Sequence, residues 1–190
     1  MKRLTFFLTL ILSVLFFASS AQSFNEQREA KKKEKAEKKQ AQQEEAQKNN
    51  ERLLALVATK AFVLEANTLY DKRGQSYFLN SSINFVGFDG TNSTIQLAFN
   101  GLVGWNGIGG VTLDGTIAKM EVNENNKGLG FTINVTVRQK VRGAVTMIFR
   151  VSSDGSARVD MSGSYGDRLS FQGNIVSLDD TRVYKGTTLY

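Results

Sequence analysis

The sequence predicts a mostly β protein: an antiparallel meander of about eight or nine strands, curled into a barrel-like or sandwich sheet, behind a long polar N-terminal helix. Three observations predict it. Apolar and polar residues alternate in run after run across the C-terminal two thirds of the chain, the period-2 signature of strands with one buried face. All seventeen glycines lie in that same part, where sheet turns need them. The chain of 190 residues contains no proline, which fits long ladder-bonded strands and a long helix, both of which proline would break.

Residues 1–21 form the first segment and have the organisation of a secretory signal peptide. Lys2 and Arg3 give the positive start, Leu4 to Ala18 the apolar stretch, and Ser19-Ser20-Ala21 the small residues of a cleavage site, with cleavage expected between Ala21 and Gln22. The apolar stretch is short for a membrane span, which needs about 20 residues. No transmembrane segment is therefore expected after cleavage. With no cysteine there is no lipid attachment point, so the expected product is exported, periplasmic or secreted, and not a lipoprotein.

Residues 22–52 are almost entirely Lys, Glu, Gln, Arg and Ala, all strong helix formers. Asn25 is the expected N-cap. Glu29 and Lys33, Glu34 and Lys38, and Glu44 and Lys48 are helix-stabilising pairs at i,i+4. The only apolar side chains after Asn25 are alanines with no heptad seam, which reads as a solvated helical spacer and not a coiled coil. Leu53, Leu54, Leu56, Val57 and Ala61 then take helical spacing, enough for a last amphipathic turn or two that anchors the spacer to the domain.

Residues 53–190 form the β domain. Ile95-Leu97-Phe99, Leu129 to Val137, Val145 to Val151, Ala157 to Met161 and Leu169 to Ile175 each alternate in the strand manner. Between Val111 and Val122 the apolar parity switches from odd to even, which predicts a β-bulge near Ala118-Lys119. Asp89-Gly90 and Asp154-Gly155 are dipeptides suited to tight hairpin turns. Asn123–Gly128, Lys140–Gly143 and Gly163–Asp167 are further turn candidates.

The formal charge of +6 suggests an anionic partner, but its distribution does not. Residues 53–190 hold thirteen Lys/Arg against eleven Asp/Glu, so the domain is near neutral and nucleic acid is not an expected partner. There is no histidine and no cysteine, which removes the usual general base, the thiol nucleophile and the commonest transition-metal ligands. No catalytic residue, no metal site and no cofactor is expected.

The block Asn100–Gly115 carries six glycines and the single tryptophan, Trp105. It leads into a strand and not a helix, so a phosphate-cradling loop is rejected. Tight backbone approach explains the glycines, and Trp105 is a candidate exposed contact for a partner or glycan. Arg138, Arg150, Arg158 and Arg168 have the opposite parity to the apolar residues of their strands. They belong on the outer face, as a solubilising surface or a basic binding stripe.

The segments FVLEANTLYDKRGQSYFLNSSINFV (Phe62 to Val86), STIQLAF (Ser93 to Phe99), NGIGGVTLDGTI (Asn106 to Ile117), DGSARV (Asp154 to Val159) and LSFQGNIVSL (Leu169 to Leu178) resemble the exported Bacteroidota family known as domain of unknown function 4251. The resemblance spans about 125 residues and implies an antiparallel β fold and a cell-envelope location. It implies no catalytic residue, since the family has no assigned activity. The functional expectation is a non-enzymatic exported domain that binds or scaffolds an envelope component. The alternatives are a carrier holding a lipid or other apolar molecule inside the curled sheet, and a carboxylate-dependent hydrolase.

Overall fold

The computed structural model describes residues 2–71, 73–98, 110–125, 129–140, 143–163 and 168–186, with side chains from residue 27 onward. The chain divides into two units, Met1–Glu45 and Ala46–Tyr190. The first is a length of the single helix α1 (Lys2–Ala58), and its side chains from Gln27 to Glu45 are exposed, as expected of a spacer. Asn25 does not cap it: the helix runs through, because nothing between Ser19 and Phe24 breaks a helix started upstream. Among the described residues no helix is long and apolar enough to cross a membrane.

The second unit holds the end of α1 and nine strands: β1 (Ala61–Tyr70), β2 (Ser76–Phe78), β3 (Phe85–Asp89), β4 (Asn92–Ala98), β5 (Gly110–Glu124), β6 (Phe131–Gln139), β7 (Gly143–Val151), β8 (Ser156–Gly163) and β9 (Arg168–Ser177). From β3 to β9 each strand pairs antiparallel with the next, and β1 pairs with both β3 and β9. Eight strands therefore close into a barrel, the first of the two expected forms, and no sandwich is made. The ninth, β2, is a short addition on Thr68–Tyr70 of β1, beyond the reach of β3. The expected bulge is present: the β5–β6 register shifts between Ile117 and Lys119. Gly90 and Gly155 take positive φ, 59° and 87°, as the two hairpin dipeptides require.

Alternation sorts the side chains. Phe62, Phe88, Phe131, Phe149 and Phe171 are among the most completely buried, with Leu64, Ile95, Ile133 and Met147 between them. The rings of Phe62 and Phe88 lie 4.9 Å apart and those of Phe88 and Phe149 5.8 Å, the tilted and edge arrangements aromatic pairs prefer. A smaller cluster of Ala66, Leu69, Leu97 and Phe171 fills the other end.

The end of α1 closes the barrel where β1 begins. Leu53 and Val57 are buried in the main core. Asn50, also buried, accepts a hydrogen bond from the Gly130 N–H at 2.9 Å, and Asn49 donates to the Ser153 carbonyl. The helix stops at Ala58, so Ala61 opens β1 instead of completing the last helical turn. Lys60, at φ 57°, makes the reversal, which a following helical residue would not allow.

Past β9 the chain returns over the outside of β1, β3 and β4. Thr181 donates to Glu65 at 2.7 Å and the Tyr184 N–H to the Ser82 carbonyl at 2.7 Å. Fully buried Gln96 ties this strap down. Its amide nitrogen donates to the carbonyls of Ile83 and Tyr184, and its oxygen accepts from Thr112 Oγ1 and the Gly186 N–H. Under the strap Val63 and Phe85, on the outward parity, are buried as well.

Candidate functional site

Three surface features carry chemistry. The first is at the barrel end away from the helix. Asn67, the extra residue of a bulge in β1, offers its carbonyl to the Leu79 N–H at 2.8 Å. Asn80 Oδ1 accepts from the Ser82 N–H, and Asn84 Oδ1 accepts from the Ala98 N–H at 2.8 Å. These bonds hold the connection between β2 and β3 against the end of β4. They leave a pocket of about 380 Å³ lined by Leu69, Tyr77, Phe78, Leu79, Ile83 and Ala98, with Asn80 and Asn84. Phe78 is 94% exposed at its rim and Tyr77 48%. Together with the pocket they form a contiguous exposed apolar surface. Sequence reading passed over them because SYF is a three-residue strand with no alternation to read.

The second is a polar network outside β7, β8 and β9. Arg150 and Arg158 are directly opposed in register. Arg150 pairs with Asp160, and Ser170 donates to the same carboxylate at 2.6 Å. The Ser170 hydrogen bond, and then Arg150, hold the Asp160 carboxyl below the usual aspartate range. Arg158 lies over the Tyr70 ring, 4.5 Å from its centre, while the Tyr70 hydroxyl donates to Gln172 at 2.8 Å.

The third is a groove of about 470 Å³ outside β4, β5 and β6. Asp89, Asn92, Thr116 and Arg138 lie in one continuous cross-strand row along it. Thr94 and Asp114 form the next row, bonded at 2.7 Å, and Lys185 of the strap pairs with Asp114 at 2.8 Å. Lys140 lies just past β6.

The expected site residues therefore separate. All four arginines are exposed. Arg150 and Arg158 come together, and each is engaged. Arg138 belongs to the groove. Arg168 stands at the start of β9, paired in register with Ser162. Trp105 and most of the glycine-rich block lie outside the described residues. Ala21 and Gln22 fall within α1.

The fold is thus that of a closed eight-stranded antiparallel barrel with one added strand and an N-terminal helix. A family model described as domain of unknown function (DUF4251) matches residues 44–175, and the chain belongs to that family. A crystal structure of a DUF4251 family protein from Bacteroides eggerthii DSM 20697 is similar, with 28% identity over 70% of this chain and 90% of that one and a TM-score of 0.55. No curated protein matches.

Proposed function

We propose that this chain is an exported, non-catalytic binding domain of the cell envelope, released from its leader between Ala21 and Gln22, and that it engages its partner at the barrel end away from the helix. The observation that carries this reading is Phe78, almost wholly exposed beside Tyr77 on an apolar pocket. The opposite end is occupied by Leu53 and Val57, and the interior by phenylalanines. A photo-crosslinking residue in place of Phe78 in growing cells is expected to give one defined adduct in the envelope fraction. The same residue in place of Thr136, on the barrel wall, is expected to give none. Equal adducts at both positions, or a cytoplasmic protein retaining Met1, would overturn the proposal.

A carrier role for an apolar small molecule is the second reading. It is favoured by the volume of the same pocket and by the cluster beneath it, which includes Leu69. Native mass spectrometry of the purified protein distinguishes the two: a bound lipid supports the carrier, and a clean apo mass removes it.

A further inference from the structure

The groove outside β4, β5 and β6 shares no lining residue with the apolar pocket, and its chemistry is different. Among the described residues no aromatic side chain lines it. Its acids and bases are unequally satisfied. Asp114 is held by Lys185 and Thr94, whereas the side chains of Arg138 and Lys140 form neither an ion pair nor a hydrogen bond among the described residues. Arg138 presents a planar fork of donors and Lys140 a mobile point charge.

The floor between the two outward rows is the register row Ser93, Gly115 and Gln139, with no side chain at Gly115. Both flanking residues line the groove, and their side chains turn beneath its floor. The Ser93 hydroxyl oxygen and both polar atoms of the Gln139 amide are buried with no hydrogen-bond partner among the described residues. Both share the inward parity of Ile95 and Val137, so they face the barrel interior and a molecule in the groove does not reach them; leaving them unpaired costs about 1–3 kcal/mol each.

We propose that this groove binds a small polyhydroxylated anion, a sugar acid or a sugar phosphate. Arg138 and Lys140 take the carboxylate or phosphate. Asp89, Asn92, Thr94 and Thr116 exchange hydrogen bonds with the hydroxyls: Asp89 and Thr94, whose proton goes to Asp114, as acceptors, and Asn92 and Thr116 as donor and acceptor. Lys185 brings the C-terminal strap to the rim of the site, so occupancy and docking of the strap are coupled. The positive balance of the described lining favours the anion, and the absence of aromatic rings among those residues disfavours ligands that bind by stacking.

Isothermal titration of the purified full chain with glucuronate, glucose 6-phosphate, glucose and inorganic phosphate tests this. One of the two anionic sugars is expected to bind at least ten-fold more tightly than glucose, with affinity falling as salt rises. Which one binds distinguishes the carboxylate from the phosphate. The double substitution Arg138→Gln and Lys140→Gln is expected to lower that affinity at least ten-fold, while Arg168→Gln, exposed on β9, leaves it unchanged. Thermal melting of each variant separates lost binding from lost folding. Equal binding of glucose, no binding of either sugar anion at millimolar concentration, or undiminished binding by the folded double variant would overturn the proposal. Inorganic phosphate binding as tightly as the sugar phosphate would also overturn it, since the hydroxyl contacts would then contribute nothing.

Discussion

Gly173 lies where β9 meets β1, the seam that closes the barrel. A Cβ there would penetrate the Glu65 carbonyl oxygen and stand 2.7 Å from the Glu65 carbonyl carbon and 2.9 Å from Ala66 Cα, where ordinary contact begins at 3.4 Å. These are backbone atoms of the opposing strand and cannot rotate away. Gly173→Ala must part the strands by at least half an ångström at Ala66, and by more at the carbonyl. Parting them stretches two or three ladder hydrogen bonds past their useful range, each contributing about 1 kcal/mol, and adds an overpacking strain of about 1–3 kcal/mol. The expected loss is about 3–6 kcal/mol from a total of roughly 5–15. At about 2–4 °C per kcal/mol, the melting temperature drops by about 6–24 °C. Calorimetry reads the loss, and hydrogen exchange at Phe62–Ala66 localises it. Gly163→Ala is the matched control: on β8 a Cβ meets nothing within 4 Å, and stability is expected to hold within about 0.5 kcal/mol. A Gly173→Ala protein that melts with wild type, or a Gly163→Ala protein that falls as far, refutes the reasoning that close backbone approach fixes these positions.

Asn50→Ala leaves the Gly130 N–H buried and unpaired, and about 1–3 kcal/mol of stability is expected to go, read by urea titration. Gln96→Leu removes four hydrogen bonds and leaves the Tyr184 carbonyl and the Gly186 N–H without partners, so limited proteolysis is expected to cut within residues 181–186 much faster than in wild type. The Asp160 carboxyl has a lowered folded pKa, so its contribution is fully present above the ordinary aspartate range and is lost as pH falls through that range and below it. Asp160→Asn is accordingly expected to flatten the acid side of the stability profile, measured as melting temperature against pH. Gln139→Leu replaces an unpaired buried amide with an apolar group of similar volume, and its melting temperature is expected to match or exceed wild type without ligand.

The strands from β4 to β9 and the β5 bulge were legible because a barrel wall with one apolar face imposes period-2 patterning on its sequence. The bulge showed as a change of parity at Ala118. What remained hidden lay where a second layer covers the wall. Gln96 is polar and Val63 and Phe85 have outward parity, yet all three are buried beside the strap, and polar Asn84 and Thr112 are buried with them. Residues 181–186 form no regular element and leave no period to detect. The choice of barrel over sandwich was equally invisible, since it rests on the β1–β9 pairing, and alternation specifies which face is buried but not which edge meets which. Of the expected site residues that are described, only Arg138 lines a cavity. Its neighbours Asp89, Thr94 and Lys185 come from three separate elements, which no local pattern unites.

The closing pairing also governs how the barrel can fold. From β3 to β9 every pairing joins consecutive strands, and β1–β3 spans only β2, so each of these is far more local than β1–β9 and can form early. Phe62 and Ser177 sit at opposite ends of the domain, and their pairing pays the loop-closure entropy of nearly its whole length. Closure is therefore expected last, after a state in which β1 and β9 both present free edges. In that interval a second chain's β9 fits β1 as well as its own does, making strand exchange between copies the characteristic failure of this fold at high concentration.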